Sequence, residues 1–335
     1  MRAIVLDAGG QPVLSDVPAP GGPGAVARVL ACGLCGSDVE KLDAAHAGSV
    51  LGHEVVAELE DGRRVALVHH LPCGECARCL AGHESTCSAN PPGRIVDAAN
   101  RSQVDSWPAR QRSHSPQGRW WTSATRRPSS SSATTSCPST QPACAASTIR
   151  PGGFAEHVCA DEWLDLPDAW PDWRGTMVEP LACVLRGAAR IPRGRVLIVG
   201  NGFVGRLFGL VLERRGDEVF AVDVDPRRAG RAPDGPVDAA ILSGSGGVAT
   251  ALEAVAPGGT VLVFADAGEI PAAAVYRREL TLLGARSATP AYMREALALL
   301  HDLEVPEPVV LPLERFAEGL ELFLRRHTLK VVFTP

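Results

Sequence analysis

Four cysteines crowd one short stretch, at Cys73, Cys76, Cys79 and Cys87, in the spacing C-x2-C-x2-C-x7-C. Thiols at that density confine the local chain to a knuckle around a tetrahedral ion. Zinc with four thiolates fits, and it stabilises a lobe that has little core of its own. An iron-sulfur cluster is the rival, because C-x2-C-x2-C opens a bacterial ferredoxin run. That run continues x3-C-P, whereas here the gap is x7 and Ser88 follows. The N-terminal MRAIVLDAGG lacks the basic, apolar and small-residue zones of a secretory leader, so a cytoplasmic location with reduced thiols is expected.

The 335 residues suit roughly two domains of about 150 residues each. No apolar run approaches the roughly 18 residues of a membrane helix, which excludes a membrane protein. A net charge of -5 argues against a nucleic-acid surface. Short strands are expected at Arg2 to Leu6, Ala25 to Leu30, His53 to Leu59 and Arg63 to Val68. Residues 88 to 148 differ sharply, with 13 Ser, 7 Pro and 7 Arg but no Leu or Phe. Such a segment cannot build a core, and it reads as a low-complexity insertion expected to be disordered. Its composition resembles either a reading-frame slip in GC-rich DNA or a genuine flexible insertion. From Gly194 onward apolar strands alternate with helical patterns, as in a parallel α/β sheet. Strands are expected at Arg195 to Val199, Glu218 to Asp223, Asp238 to Leu242, Thr260 to Ala265 and Leu280 to Leu283. The tail, with helices near Ala291 to Asp302 and Leu313 to Arg326 and a strand at Leu329 to Thr334, has too few apolar residues to stand alone.

Two further constellations carry chemistry. Cys32-Gly-Leu-Cys35-Gly-Ser37-Asp38 precedes Gly52-His53-Glu54. A catalytic zinc takes three protein ligands and keeps one position open. Cys35 and His53 would supply two, and the third is Glu54 or Glu179, the latter in Met177-Val-Glu-Pro-Leu-Ala-Cys183. The other constellation is the apolar run Arg195 to Val199 leading into Gly200-Asn-Gly202-Phe203-Val204-Gly205, with Asp223 ending the next expected strand. This is the strand, glycine turn and helix that bind a dinucleotide pyrophosphate. Asp223 would accept the ribose hydroxyls of NAD. Asp225, before Pro226, reads as a helix N-cap, and Arg227 and Arg228 lie close by.

Together and in this order, these motifs resemble the zinc-containing medium-chain dehydrogenase/reductase (alcohol dehydrogenase) family, nearest its sorbitol and threonine dehydrogenase branch. Pro151-Gly-Gly-Phe-Ala-Glu156, Pro257-Gly-Gly-Thr260 and Leu329-Lys-Val-Val carry the resemblance further. It implies an α/β chain: a GroES-like β-barrel catalytic domain (1–87 and 149–185, with a structural zinc lobe at 73–87) and a shortened Rossmann NAD-binding domain (186–290). A segment at 291–335 would return to the catalytic domain. It also implies one catalytic and one structural zinc, with Ser37 passing the alcohol proton outward and Asp38 orienting His53. The dinucleotide would meet Gly200, Gly202, Phe203, Val204, Gly205, Asp223 and Arg228. The expected reaction is hydride transfer from a small alcohol or polyol to NAD in a homo-oligomer. Neither nucleic acid nor membrane is expected as a partner.

Four departures qualify this expectation, one of them a clipped loop between His53 and Cys73. Glu40 stands where the nearest relatives place a relay histidine. Asp225 and Val237 are close in the chain, with Pro226, Pro233 and Pro236 between them, so the sheet should be short. Segment 88 to 148 replaces a shorter stretch that walls the family's pocket. A catalytically impaired protein that binds zinc and dinucleotide is therefore the alternative. A zinc-free quinone-type reductase fits poorly, because it would not need Cys35 with His53 and Glu54.

Overall fold

The computed structural model describes residues 1–21, 24–69, 72–73, 75–81, 84, 87 and 152–335. The expected insertion at 88–148 lies outside the described residues. Short strands and single helical turns make up the first part: β1 (Arg2–Leu6), β2 (Pro12–Asp16), β3 (Ala25–Gly33), α1 (Gly36–Val39), β4 (Glu54–Glu58), β5 (Arg64–Leu67), α2 (Ala77–Leu80), β6 (His157–Ala160) and β7 (Trp163–Asp165). Helices α3 (Asp172–Gly175) and α4 (Val178–Ala188) lead into a regular β/α alternation. It comprises β8 (Arg195–Val199), α5 (Phe203–Arg215), β9 (Glu218–Val222), β10 (Val237–Leu242), α6 (Val248–Ala254), β11 (Val255–Val263), α7 (Ala272–Arg277) and β12 (Thr281–Gly284). The tail holds α8 (Pro290–Leu300), β13 (Val309–Pro312), α9 (Phe316–Leu324) and β14 (Val331–Thr334).

Strands β1 and β2 pair with each other, while the rest of the first part and the tail share one seven-stranded sheet, ordered β13-β14-β3-β4-β5-β7 with β6 also on β3. The last strand enters beside β3 antiparallel, pairing Val332 with Gly33 and Phe333 with Cys32. It is anchored by an aromatic cluster in which Phe333 lies 4.6 Å from Phe316 and 5.7 Å from Phe154. The tail thus completes a core that the first strands of the chain begin.

The second sheet is wholly parallel and ordered β12-β11-β10-β8-β9. Four of the five residues of β8 are buried, as befits a central parallel strand covered on both faces. A full doubly wound sheet carries another strand beyond β9. Here a turn stands in its place: the Gly230 N–H reaches Ala221 O at 3.1 Å, and the Ala221 N–H reaches Arg231 O at 3.0 Å. Arg195 and Arg231 lie over the Phe220 ring, 4.7 and 4.2 Å from its centroid, and shield the truncated edge. The helix expected to start at Asp225 does not form, because Pro233 and Pro236 leave no room for it. Instead Asp225 Oδ1 accepts the Arg227 N–H at 3.0 Å in a tight turn. Hydrogen bonding from Arg227 holds the pKa of the Asp225 carboxyl at about 2. The chain is an α/β protein in which a GroES-like β domain is joined to a Rossmann-type sheet. Among the described residues, no helix is long and apolar enough to cross a membrane.

Candidate metal and dinucleotide sites

Around α2 the four sulfurs converge. Cys73 lies 3.9 Å from Cys79 and 3.5 Å from Cys87, while Cys76 lies 3.6 Å from Cys79 and 3.8 Å from Cys87. All four are free of disulfides. Zn–S bonds of about 2.3 Å in a regular tetrahedron put sulfurs roughly 3.8 Å apart, so the donor set fits zinc. Two backbone amides point at the sulfurs, Cys73 N–H to Cys87 Sγ and Cys76 N–H to Cys73 Sγ, each at 3.3 Å. Both would stabilise thiolates.

The second cluster is assembled from three elements. Cys35 caps α1, His53 ends the loop before β4, and Glu54 begins that strand. Their ligand atoms all lie within 4.8 Å of one another. Asp38, in the single turn of α1, is almost wholly buried. Its Oδ2 accepts the Cys35 N–H at 3.0 Å, its Oδ1 accepts the Gly52 N–H at 3.2 Å, and Oδ1 lies 3.3 Å from His53 Nδ1. One carboxylate therefore braces both Cys35 and His53, and it leaves His53 Nε2 for an ion. Burial works against charge on His53, yet Asp38 and Cys35 hold its pKa well above the ordinary imidazole value. Burial likewise opposes ionisation of Asp38, and the His53 charge overrides it, so the Asp38 carboxyl sits low.

Glu54 is buried, and its Oε1 has no hydrogen-bond partner among the described residues. A buried carboxylate oxygen left unbonded beside a thiol and an imidazole suits a divalent cation. Its Oε2 forms an ion pair with Lys330, whose Nζ also donates to Leu34 O at 3.0 Å. Burial disfavours the Lys330 charge, but Glu54 and Cys35 keep its pKa above the usual lysine value. A Cβ at Gly33 would collide with Glu54 Oε2. Gly33→Ala should therefore push the carboxylate aside and weaken metal binding at this site roughly 10- to 100-fold, the range for disturbed ligand orientation. Chelator competition measures this, with the four-cysteine site as internal control. Unchanged affinity would show that Glu54 does not hold the ion.

Glu179, the other expected ligand, stands beside this cluster rather than in it. Its Oε1 accepts from Cys183 Sγ at 3.2 Å and lies 3.7 Å from His69 Nε2. Burial pushes the Glu179 carboxyl above its normal range and, together with Glu179 itself, pushes the Cys183 thiol well up. Ser37 is half-buried in the single turn of α1, and Glu40 is exposed at its end.

The glycine turn follows β8. Gly200 has φ +98°, and Gly202 caps the N-terminus of α5. A Cβ at Gly205 would collide with Gly200 O, so only glycine lets the helix close on the turn. Phe203 opens α5 and is buried, with Val204 packed beside it against the core. Asp223 turns inward: Oδ2 accepts the Asn201 N–H at 2.7 Å and Oδ1 the Asp225 N–H at 2.9 Å. Arg228 donates to Arg326 O at 2.6 Å and Thr328 O at 3.1 Å, tying the turn to the tail. Lys330 closes the gap between the two constellations, with Nζ 4.9 Å from the Phe203 ring centroid. Sequence reasoning assigned no role to Lys330 or His69. The available signals were a lone lysine inside the tail's apolar run and a histidine directly after the expected strand Arg63 to Val68.

Comparison with known proteins agrees with this architecture. Residues 22–104 match the alcohol dehydrogenase GroES-like domain. The chain is 27% identical to D-altritol 5-dehydrogenase of Agrobacterium fabrum, across 99% of each chain. Among solved structures, an alcohol dehydrogenase from Thermus sp. ATN1 is 24% identical, with TM-score 0.74 and all of both chains covered. A putative zinc-binding dehydrogenase from Sinorhizobium meliloti 1021, solved with NADP, is 21% identical with TM-score 0.70, covering 100% of this chain and 99% of that one. With its GroES-like strands, its two candidate metal clusters and its parallel sheet entered through a glycine turn, the chain is similar along its whole length to dehydrogenases of the zinc-containing medium-chain type.

Proposed function

We propose that this oxidoreductase acts on an alcohol or polyol with NAD as acceptor. Cys35, His53 and Glu54 would hold a catalytic zinc, and Cys73, Cys76, Cys79 and Cys87 a structural one. The observation carrying this reading is the bridge made by Lys330, which pairs with Glu54 on one side and meets the first residue of α5 on the other. It sets a candidate metal site against the helix end that takes a dinucleotide. When bound, zinc supplies Lewis acidity to the alcohol hydroxyl and the nicotinamide accepts the hydride. The protein's own part is positional. Asp38 fixes the rotamer of His53 and the Cys35 backbone, Lys330 offsets the charge of Glu54, and Ser37 would pass the hydroxyl proton outward. That the eight cysteines among the described residues form no disulfide supports a reducing, cytoplasmic setting. The edge strand β12, where Leu282 is exposed, supports a homo-oligomer. Oxidation of polyols and secondary alcohols by the zinc-loaded protein, followed as NADH formation, tests the reading.

The cofactor preference is less one-sided. Asp223 at the end of β9 suits the ribose hydroxyls of NAD. Against it, Arg206, Arg227, Arg228, Arg326 and His327 line a cavity of about 190 Å³ at the same strand end, with Asp225 as its one acid. We expect NAD to bind at least ~10-fold more tightly than NADP, about 1.4 kcal/mol. Asp223→Gly should narrow that gap. Titration of both cofactors decides it: equal affinities would mean that the arginine cluster accepts the 2′-phosphate and Asp223 only braces the turn.

A further inference from the structure

A doubly wound sheet continues past its second strand through a helix that lies beside the first one, because successive right-handed crossovers in one direction fall on one face. Here β9 leads to β10 with no helix between them, so the flank of α5 over β9 has no neighbour from that connection. A groove of about 580 Å³ occupies the place, within the roughly 300 to 1,000 Å³ of small-molecule sites. Ile198, Leu210, Val219, Val305 and Pro306 give it apolar walls. Gly209 faces the groove from the middle of α5, where glycine weakens a helix relative to alanine. Packing does not demand it, since a Cβ there would meet only Ile198 Cδ1 at an ordinary 3.9 Å. Its effect is to leave the groove clear above Ile198. Arg206, one turn earlier on the same flank, supplies the charge. It is half-buried, its Nε is enclosed with no hydrogen-bond partner, and no ion pair engages it among the described residues. A cation drawn partly out of water is costly until an anion pairs with it. The other charges on the groove, Glu213, Glu304 and Arg231, are exposed, and Arg231 is already paired with Glu218.

We propose that this groove is a second binding site, apart from the metal clusters and the glycine turn, for a small carboxylate with an apolar body. The carboxylate pairs with Arg206, and the body lies on Ile198, Leu210 and Val219. Arg206 directly follows Gly205, so the site adjoins the turn that would take a dinucleotide, yet it does not rest on the dehydrogenase reading. Arg206 also lines the smaller cavity at the end of β9, whereas Gly209 lines the groove alone. Substitution at Gly209 therefore tells the two apart.

The test is calorimetric titration of the zinc-loaded protein, without dinucleotide or alcohol, with 4-phenylbutyrate and with octanoate, each compared with its amide. Both carboxylates should bind, each at least roughly tenfold more tightly than its amide. Gly209→Leu puts a side chain into the groove, and it should weaken either carboxylate at least roughly tenfold while the melting temperature falls no lower. Arg206→Leu should remove the preference for carboxylate over amide, and Arg206→Lys should restore part of it. Binding that is unchanged in Gly209→Leu overturns the site, because the ligand then sits on a zinc or in the smaller cavity. A preference that survives Arg206→Leu overturns the pairing with Arg206, and failure of the parent protein to bind either carboxylate overturns the proposal outright.

Discussion

Replacing Cys35 with alanine should lower alcohol oxidation by roughly a thousandfold or more, about 4 kcal/mol of transition-state stabilisation, and leave a folded chain with one zinc in place of two. The local backbone depends little on the thiol. Cys35 caps the single turn α1: its side chain faces the N–H of the third position, and the Asp38 carboxylate there holds the Cys35 N–H. Alanine loses only the weak sulfur half of that cap and keeps the bond from Asp38. Strand β4 pairs with β3 whatever stands at position 35, so the sheet should survive. What goes is one of the three donors that converge within 4.8 Å. Two donors cannot keep the closed side of a zinc site against water and chelators. Metal analysis and a melting curve on the variant separate loss of the site from loss of the fold. Full turnover in Cys35→Ala would show that the chemistry happens elsewhere.

Removing a thiolate from the other cluster should act in the opposite way, on stability first. Among the described residues from 72 to 87, only Cys79 and Cys87 are buried, and Leu80 is 76% exposed. This lobe has no apolar core among those residues, so the bound ion must supply what packing does not. Structural zinc sites in small peptides bind with about 10 to 16 kcal/mol, essentially all of it folding free energy. Loss of Cys79, the most enclosed ligand together with Cys87, should cost several kcal/mol of that. Cys79→Ala is expected to lack one zinc, to melt at a lower temperature and to be cut by proteases within the lobe while the Rossmann sheet stays folded. In the unmodified protein the two ions should leave in order, the Cys35 site first, because it has an open position and fewer thiolates. Chelator-driven release followed by native mass spectrometry reads that order. Simultaneous release would mean that the lobe is not an independent metal site.

The elements readable in the residues were those with a strong local pattern. The run Arg195 to Val199 is a strand with those bounds, apolar after its first residue. Gly200, Gly202 and Gly205 each meet a demand that can be inferred from spacing alone. Of the missed strands, β2, β7 and β13 are short and mostly outside the core, so no alternation marks them, whereas β6 alternates but spans only four residues. Helix α4 is short and carries Pro180 and Gly187, which weaken its local helix propensity, so its burial rather than its propensity holds it. Asp225 read as an N-cap on a sound local rule, but the prolines that follow override it. Lys330 and His69 could be placed only by tertiary structure. Lys330 meets Leu34 across 296 positions, and His69 meets Glu179 only because β5 and α4 converge on the same site. Local pattern carries no information about such pairs.

Everything proposed for the chemistry turns on whether the ion held by Cys35, His53 and Glu54 serves oxidation of an alcohol against a dinucleotide bound at the Gly200 to Gly205 turn. That is read out by NADH formation in protein verified to carry two zinc ions per chain, offered NAD with a panel of polyols and secondary alcohols. Substrate-dependent NADH should appear, vanish when the Cys35 site alone is stripped, and return when zinc is restored. NAD binding and two bound zinc ions without NADH from any alcohol, or NADH formation that persists after the Cys35 site is emptied, would contradict this mechanism.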